Sequence, residues 1–215
     1  MTALAGPAAV ILREVGARDG LQGEDPVTVE QRVALIDALL AAGVTHLEVG
    51  AFVSPKAVPA MAGSDEVIAR IGRPDGVTRT ALVPNARGAE LALAAGVDEL
   101  TVTISASATY SERNVRMSID ESVGAITAIT ALAGDAGVPV DAVVSCAFGS
   151  PYEGDLPAAE VHALCGRGLD TGVGALTLAD TTGMGTPRLI EGLLTLTGPD
   201  VGLHLHDTRD TGLLN

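Results

Sequence analysis

The chain reads as an α/β protein of the barrel class, and three observations predict it. Short apolar runs alternate with helical patterns six times and finish on a seventh run. These runs are rich in Val, Ile, Leu and Ala without polar alternation, as strands buried on both faces are. Polar side chains cluster just past the carboxyl ends of nearly all of them, and they converge on one point only if the strands close on themselves. A TIM-type (β/α)8 barrel is therefore preferred to a doubly wound open sheet, whose G-x-G-x-x-G signature does not follow the first run.

Taken in order, strands are predicted at 10–16, 45–52, 78–83, 99–105, 140–147, 174–180 and 201–206. Helices are predicted at 29–42, 66–71, 86–95, 119–136, 158–171 and 187–196. Thr28 supplies an N-cap for the first helix, Gly43 and Gly96 stop the first and third, and Thr186-Pro187 opens the last. Seven strands and six helices leave the barrel short of its eighth strand, and such barrels usually run to about 250 residues. The 215 residues are thus expected to form a single catalytic barrel domain that is truncated or partial at its C-terminal end. Otherwise a neighbouring chain must cover the edges of the first and seventh strands.

Composition narrows the partners. With 47% apolar residues, two Phe, two Tyr and no Trp, the core is filled by branched aliphatics and alanine. A net charge of −14, with twelve arginines and one lysine never forming a run, argues against nucleic acid and membrane surfaces. No leader-like start and no long apolar segment is present, and the two cysteines, Cys146 and Cys165, lack metal or disulfide spacing. Reduced thiols and a cytoplasmic location follow.

Two motifs carry chemistry. His204-Leu205-His206 lies in the last run, where strand alternation aims both imidazoles the same way, as neighbouring ligands of one metal require. Arg18-Asp19-Gly20-Leu21-Gln22 follows the first. One carboxylate, Asp19, with two imidazoles leaves positions open for water and a chelating substrate, which suits Mg²⁺ or Mn²⁺ and leaves zinc open. Arg18 would sit beside that ion to stabilise an enolate oxygen, or brace the strand ends through an ion pair with Glu48; the two roles are compatible. Asn85, Ser105 and Asp180 lie at the ends of further strands. Cys146 reads as a small core residue, and His46 and His162 as structural or solvated. Lys56 reads as an exposed loop residue between prolines, and Gly183-Met184-Gly185 as a βα connection.

These residues resemble the hydroxymethylglutaryl-CoA lyase family, within a wider group of metal-dependent barrels that includes Claisen-type synthases and aldolases. The resemblance spans the chain: Glu14 to Gln22, Phe52-Val53-Ser54-Pro55-Lys56-Ala57-Val58-Pro59, Val83-Pro84-Asn85, Ser145 to Gly154, Asp180 to Pro187, and His204 to Thr208. The Phe-Val-Ser-Pro-Lys and Ser-Pro-Tyr-Glu-Gly stretches point to the lyase branch. The resemblance implies cleavage of a 3-hydroxy-3-methylglutaryl-CoA-like thioester to acetyl-CoA and a keto acid, acetoacetate in the namesake reaction of leucine catabolism and ketone-body formation. It implies a homodimer, an acyl-CoA substrate and a divalent ion on Asp19, His204 and His206. His204, or a water, would take the proton of the tertiary hydroxyl, Arg18 would meet the thioester oxygen, and Glu48 would hold Arg18. Asn85, Thr177 and Asp180 would orient the substrate.

The chain also departs from the family. A fourth ligand, an asparagine, and a loop cysteine belong to the region after the seventh strand. Asp141-Ala142-Val143 replaces Arg-Gly-Tyr, Ala108 replaces a glutamate and Asp25 a lysine, which suggests a shifted acyl group. A condensing enzyme or aldolase of the same group and an inactive truncated barrel are the alternative readings.

Overall fold

A computed structural model describes residues 10–210 and 212. Seven strands follow one another in chain order across a single sheet, and the neighbouring strands whose register is resolved run parallel. This is the strand order of a TIM-type barrel. The residues gather into two compact units, and β4 (Glu99–Ser105) contributes to both.

The first unit holds residues 10–101 and 131–140. Here β1 (Arg13–Glu14), β2 (His46–Ala51), β3 (Thr78–Leu82) and the start of β4 pair side by side. Three helices connect them: α1 (Val29–Ala41), α2 (Ser64–Ile71) and α3 (Ala86–Ala95). The start of α1 is fixed by a capping box, in which Thr28 Oγ1 accepts from the Gln31 amide and Gln31 Oε1 accepts from the Thr28 amide. Gly96, at φ 79°, ends α3 in the left-handed conformation that an L side chain would disfavour. Leu47, Val49, Ala81 and Leu100 on the strands and Ile36, Val67, Ile68, Ala89 and Ala92 on the helices are all buried and make up its core. Arg79 is also buried there. Its guanidinium reaches both oxygens of Asp98, at 2.8 and 3.0 Å, and the carbonyls of Gly72 and Gly96, at 2.7 and 2.6 Å. Burial opposes ionisation of Asp98, but these bonds hold its carboxyl below the ordinary value.

The second unit holds residues 102–130 and the described residues from Asp141 onward. It contains α4 (Ala108–Asn114), β6 (Ala175–Ala179), β7 (Gly202–His204), α6 (Ala158–Leu169) and α7 (Pro187–Thr197), with most of β5 (Val140–Ser145) and of α5 (Ile119–Asp135). Its buried residues are mostly aliphatic, with Ile104, Val144, Leu176 and Leu178 on strands and Ile126, Ile129, Val161, Leu164, Ile190 and Leu193 on helices, beside Phe148 and two cysteines. Thr186 caps α7 through the Leu189 amide, with Pro187 in the first turn, as its sequence predicts.

Three sequence expectations change. The first strand pairs over Arg13–Glu14 instead of 10–16, and Val10, Ile11 and Leu12 are 70–82% exposed. The last strand spans Gly202–His204, so His206 lies beyond it. Each of these strands pairs with one neighbour among the described residues, and an edge strand loses its ladder sooner than a central one. The third change is α4, unforeseen because Thr, Tyr, Ser and Asn are modest helix formers; Ser107, whose Oγ accepts from the Tyr110 amide, starts it.

Candidate active site

In the first unit, the chain leaves β1 through one wide turn, Gly16–Gly20, in which the amides of Arg18, Asp19 and Gly20 all point to the Val15 carbonyl. That convergence packs two adjacent charged side chains against the strand end. Arg18, with 8% of its side chain exposed, donates from Nε and Nη2 to Glu48 Oε2, at 2.7 and 2.5 Å. Its Nη1 donates to Asp19 Oδ1 at 2.7 Å. Gln22 Nε2 donates to the same oxygen at 2.6 Å, so two donors orient the Asp19 carboxylate. The ion pair between Arg18 and Glu48 that the sequence raised as one of two roles is therefore present, and Glu48 is 2% exposed. One guanidinium between two carboxylates leaves the cluster net negative, and this suits cation binding.

In the second unit, His204 ends β7 and His206 follows it. Their Nε2 atoms stand 3.1 Å apart, with the rings tilted by 58°. Two lone pairs facing each other at that distance repel unless a proton or a cation lies between them. Two adjacent ligands of an octahedral ion at about 2.1 Å sit roughly 3 Å apart, so the imidazole pair fits a divalent metal. Asp180 is 1% exposed. Its Oδ1 accepts from the Gly185 amide at 2.8 Å, and its Oδ2 has no hydrogen-bond partner among the described residues. Gly185 is required here, since a Cβ would lie 2.8 Å from Asp180 Oδ2. Gly183, at φ 66°, abuts Thr208, which binds the connection after β6 to the segment after the histidines.

Other expected site residues have local engagements. Asn85 Oδ1 accepts from the Gly88 amide and caps α3. Thr177 Oγ1 donates to Asp141 Oδ2 at 2.9 Å, inside the sheet rather than at its carboxyl end. Ser105 Oγ closes a turn on Ser107. Lys56 and His162 are exposed, and His46 Nδ1 lies 3.0 Å from Thr45 Oγ1. Cys146 is fully buried at φ 56°, and burial pushes its thiol up to about 11 against hydrogen bonds involving Ser105 and Thr181. A thiol so weakly acidic is a poor nucleophile at neutral pH, in keeping with a core role. Cys165 is also buried, and both cysteines are free.

Sequence reading missed the clamp formed by the Ser150–Gly154 turn. Glu153 Oε2 accepts from Ser107 Oγ at 2.6 Å and its Oε1 from the Thr109 amide at 3.0 Å, holding the start of α4. Desolvation opposes ionisation of Glu153, yet hydrogen bonds from Ser107, Ser150 and Thr109 bring its carboxyl down to about 2. The Arg113 guanidinium lies 4.6 Å from the centre of the Tyr152 ring, a second tie between the same two segments.

The family model described as HMGL-like matches residues 9–215. Hydroxymethylglutaryl-CoA lyase of Pseudomonas mevalonii is 41% identical over 213 residues, covering 96% of this chain and 71% of that protein. The crystal structure of the HMG-CoA lyase of Bacillus subtilis superposes with a TM-score of 0.94 at 37% identity, over 98% of this chain and 72% of that one. An HMG-CoA lyase structure from Acinetobacter baumannii, in complex with coenzyme A and 3-methylmalate, gives a TM-score of 0.88 at 37% identity, over 94% of this chain and 68% of that one.

Proposed function

This chain belongs to the HMGL-like family, and from that premise we propose that it cleaves 3-hydroxy-3-methylglutaryl-CoA to acetyl-CoA and acetoacetate. The enzyme is a carbon-carbon lyase. In this reaction the tertiary hydroxyl loses its proton, the bond between C2 and C3 breaks, and the electron pair moves onto the thioester as an enolate. The alcohol carbon becomes the ketone of acetoacetate, and a proton added to the enolate carbon completes acetyl-CoA.

The observation that carries the reading is Arg18, a buried cation whose orientation Glu48 fixes through two bonds to one oxygen. A preorganised donor of this kind acts where charge develops in the transition state. Arg18 meets the thioester oxygen as it gains charge, and Glu48 keeps the guanidinium from turning away. We assign a divalent ion, Mg²⁺ or Mn²⁺, to Asp19, His204 and His206, each of which offers one ligand atom. When bound, that ion supplies a Lewis-acidic centre that acidifies the substrate hydroxyl. His204, or a water beside it, accepts the hydroxyl proton. Asp180 orients this region from β6 through its hold on Gly185. Asn85 and Thr177 complete the proposed substrate contacts.

Coenzyme A in the Acinetobacter baumannii relative supports an acyl-CoA substrate here. Two buried free thiols suit a reducing cytoplasm, in which we place the enzyme as a homodimer. No described helix is long and apolar enough to cross a membrane. Incubation with the thioester and Mg²⁺ is expected to release acetyl-CoA and acetoacetate in equal amounts, and EDTA is expected to stop it. Absence of acetyl-CoA under these conditions, or release undiminished by EDTA, would overturn the proposal.

A further inference from the structure

β2 carries an irregularity beside the residue that holds Arg18. Glu48 pairs with Thr80 and Gly50 pairs with Ala81, so Val49 is an extra residue in the ladder. In a regular strand, residues 48 and 50 share a face. Here they meet different neighbours. The Glu48 carboxylate binds Arg18, whereas a Cβ on Gly50 would lie 2.5 Å from Ser64 Oγ and 2.8 Å from Arg32 Nη2. A bulge re-aims side chains in this way, and it must be held by something other than the ladder it interrupts.

Arg32 of α1 holds it. Its Nη2 donates to the Val49 carbonyl at 3.3 Å and to Ser64 Oγ at 3.1 Å, and its Nη1 donates to the Ala62 carbonyl at 2.9 Å. Ser64 Oγ also accepts from the Ala51 amide and donates to the Met61 carbonyl. The residues on either side of Gly50 are thus tied to the same two side chains. Arg32 is 1% exposed, and among the described residues none of its hydrogen-bond partners is a carboxylate and its Nε has no hydrogen-bond partner. A buried cation with neutral acceptors costs stability, and an apolar side chain of similar volume would serve packing at least as well. Stability therefore does not account for the guanidinium.

We propose that Arg32 and Ser64 are positioning residues for the lyase reaction: by clamping the β2 bulge they aim Glu48 at Arg18 and so fix the guanidinium that meets the developing enolate. The proposal rests on the lyase reading above, and two readouts separate the fates of the two. Arg32→Met, with Ser64→Ala as the milder variant, is compared with the parent by turnover of 3-hydroxy-3-methylglutaryl-CoA. The same proteins, labelled with ¹⁵N-arginine, report the Arg18 Nε–H resonance, which is assigned by its loss in Arg18→Gln.

Arg32→Met is expected to lower kcat about 100-fold, the effect of misplacing a catalytic group by about 1 Å. KM is expected to stay within about threefold and the Arg18 resonance to shift. Ser64→Ala gives the same pattern at smaller amplitude, and Arg32→Lys, which keeps a donor toward Val49, recovers part of the loss. In an Arg18→Gln background Arg32→Met costs little more, since both changes act on one group. An unmoved Arg18 resonance in folded Arg32→Met and Ser64→Ala, or losses that add fully, would overturn the proposal. Should Arg32→Met fail to fold, Ser64→Ala decides. A parent enzyme that turns over no thioester would end the lyase reading, while the resonance shift would still decide whether Arg32 positions Arg18.

Discussion

Arg18 and Arg79 lie in the same unit, both almost fully buried and both bound to carboxylates, and they serve different ends. Arg79 is enclosed by its partners: Asp98 takes two of its nitrogens, and the carbonyls of Gly72 and Gly96 take the remaining directions. Those partners belong to the loops entering β3 and β4, so the guanidinium ties two connections to one strand. Arg18 instead sits in the turn leaving β1, between a buried acid and a carboxylate of the metal-ligand type. A cation closed off by its own acceptors stabilises; one shared between two carboxylates at a strand's carboxyl end is the one to which the proposed lyase reading gives a task on the substrate. The number of ion pairs alone would not have told the two apart.

The comparison is sharpest where matched substitutions give opposite readouts. Arg18→Gln is expected to lower kcat at least about a thousandfold with bound metal unchanged, as steady-state kinetics and metal analysis will show, because a donor acting in the transition state is lost. Asp19→Asn is expected to remove most bound Mn²⁺ and with it the activity, measured by titration with the ion, whereas Asp98→Asn keeps the full metal complement. Arg79→Gln leaves kcat intact and costs about 3 kcal/mol, or about 10 °C in Tm by thermal denaturation, because it removes the buried guanidinium that the half-buried Asp98 and the carbonyls of Gly72 and Gly96 share. A large kcat loss in Arg79→Gln would break the distinction.

The smallest effect concerns pH. The Glu153 carboxyl is lowered in the folded state, so its contribution is complete above its unfolded value of about 4.5 and disappears as pH falls toward about 2. The difference in Tm between the parent and Glu153→Gln should therefore stay level from pH 6 to about 4.5 and shrink from there toward pH 2. A difference independent of pH would show that the Glu153 clamp acts without its charge.

Much of the fold could be read from residues because β2 to β6 are largely buried and keep an apolar, β-branched core even where Glu48, Arg79 and threonines interrupt it. Thr28, Gly96 and Thr186 likewise mark helix ends whose chemistry is local. The edge strands are shorter than their sequence suggests, since the run from Val10 to Leu12 is as apolar as a strand but has no ladder among the described residues. The candidate site was legible in Arg18, Asp19, His204 and His206 because, although a His-x-His pair on a strand has a common bland reading as two half-exposed histidines, the charge pair after the first strand added weight to a metal. Asn85 was ambiguous, because the spacing of an N-cap and that of a substrate contact look alike. Arg32 was invisible. In Val-Glu-Gln-Arg it reads as one more solvated helix residue, and only the approach of α1 to the bulge in β2 gives it a task.

The most direct test of the central claim is electron spin-echo modulation of the enzyme loaded with one equivalent of Mn²⁺. Ligation by His204 and His206 predicts coupling to two imidazole nitrogens, reduced to one in His206→Ala and accompanied by loss of acetyl-CoA release. An echo with no nitrogen coupling from an active, Mn²⁺-loaded enzyme would contradict the account.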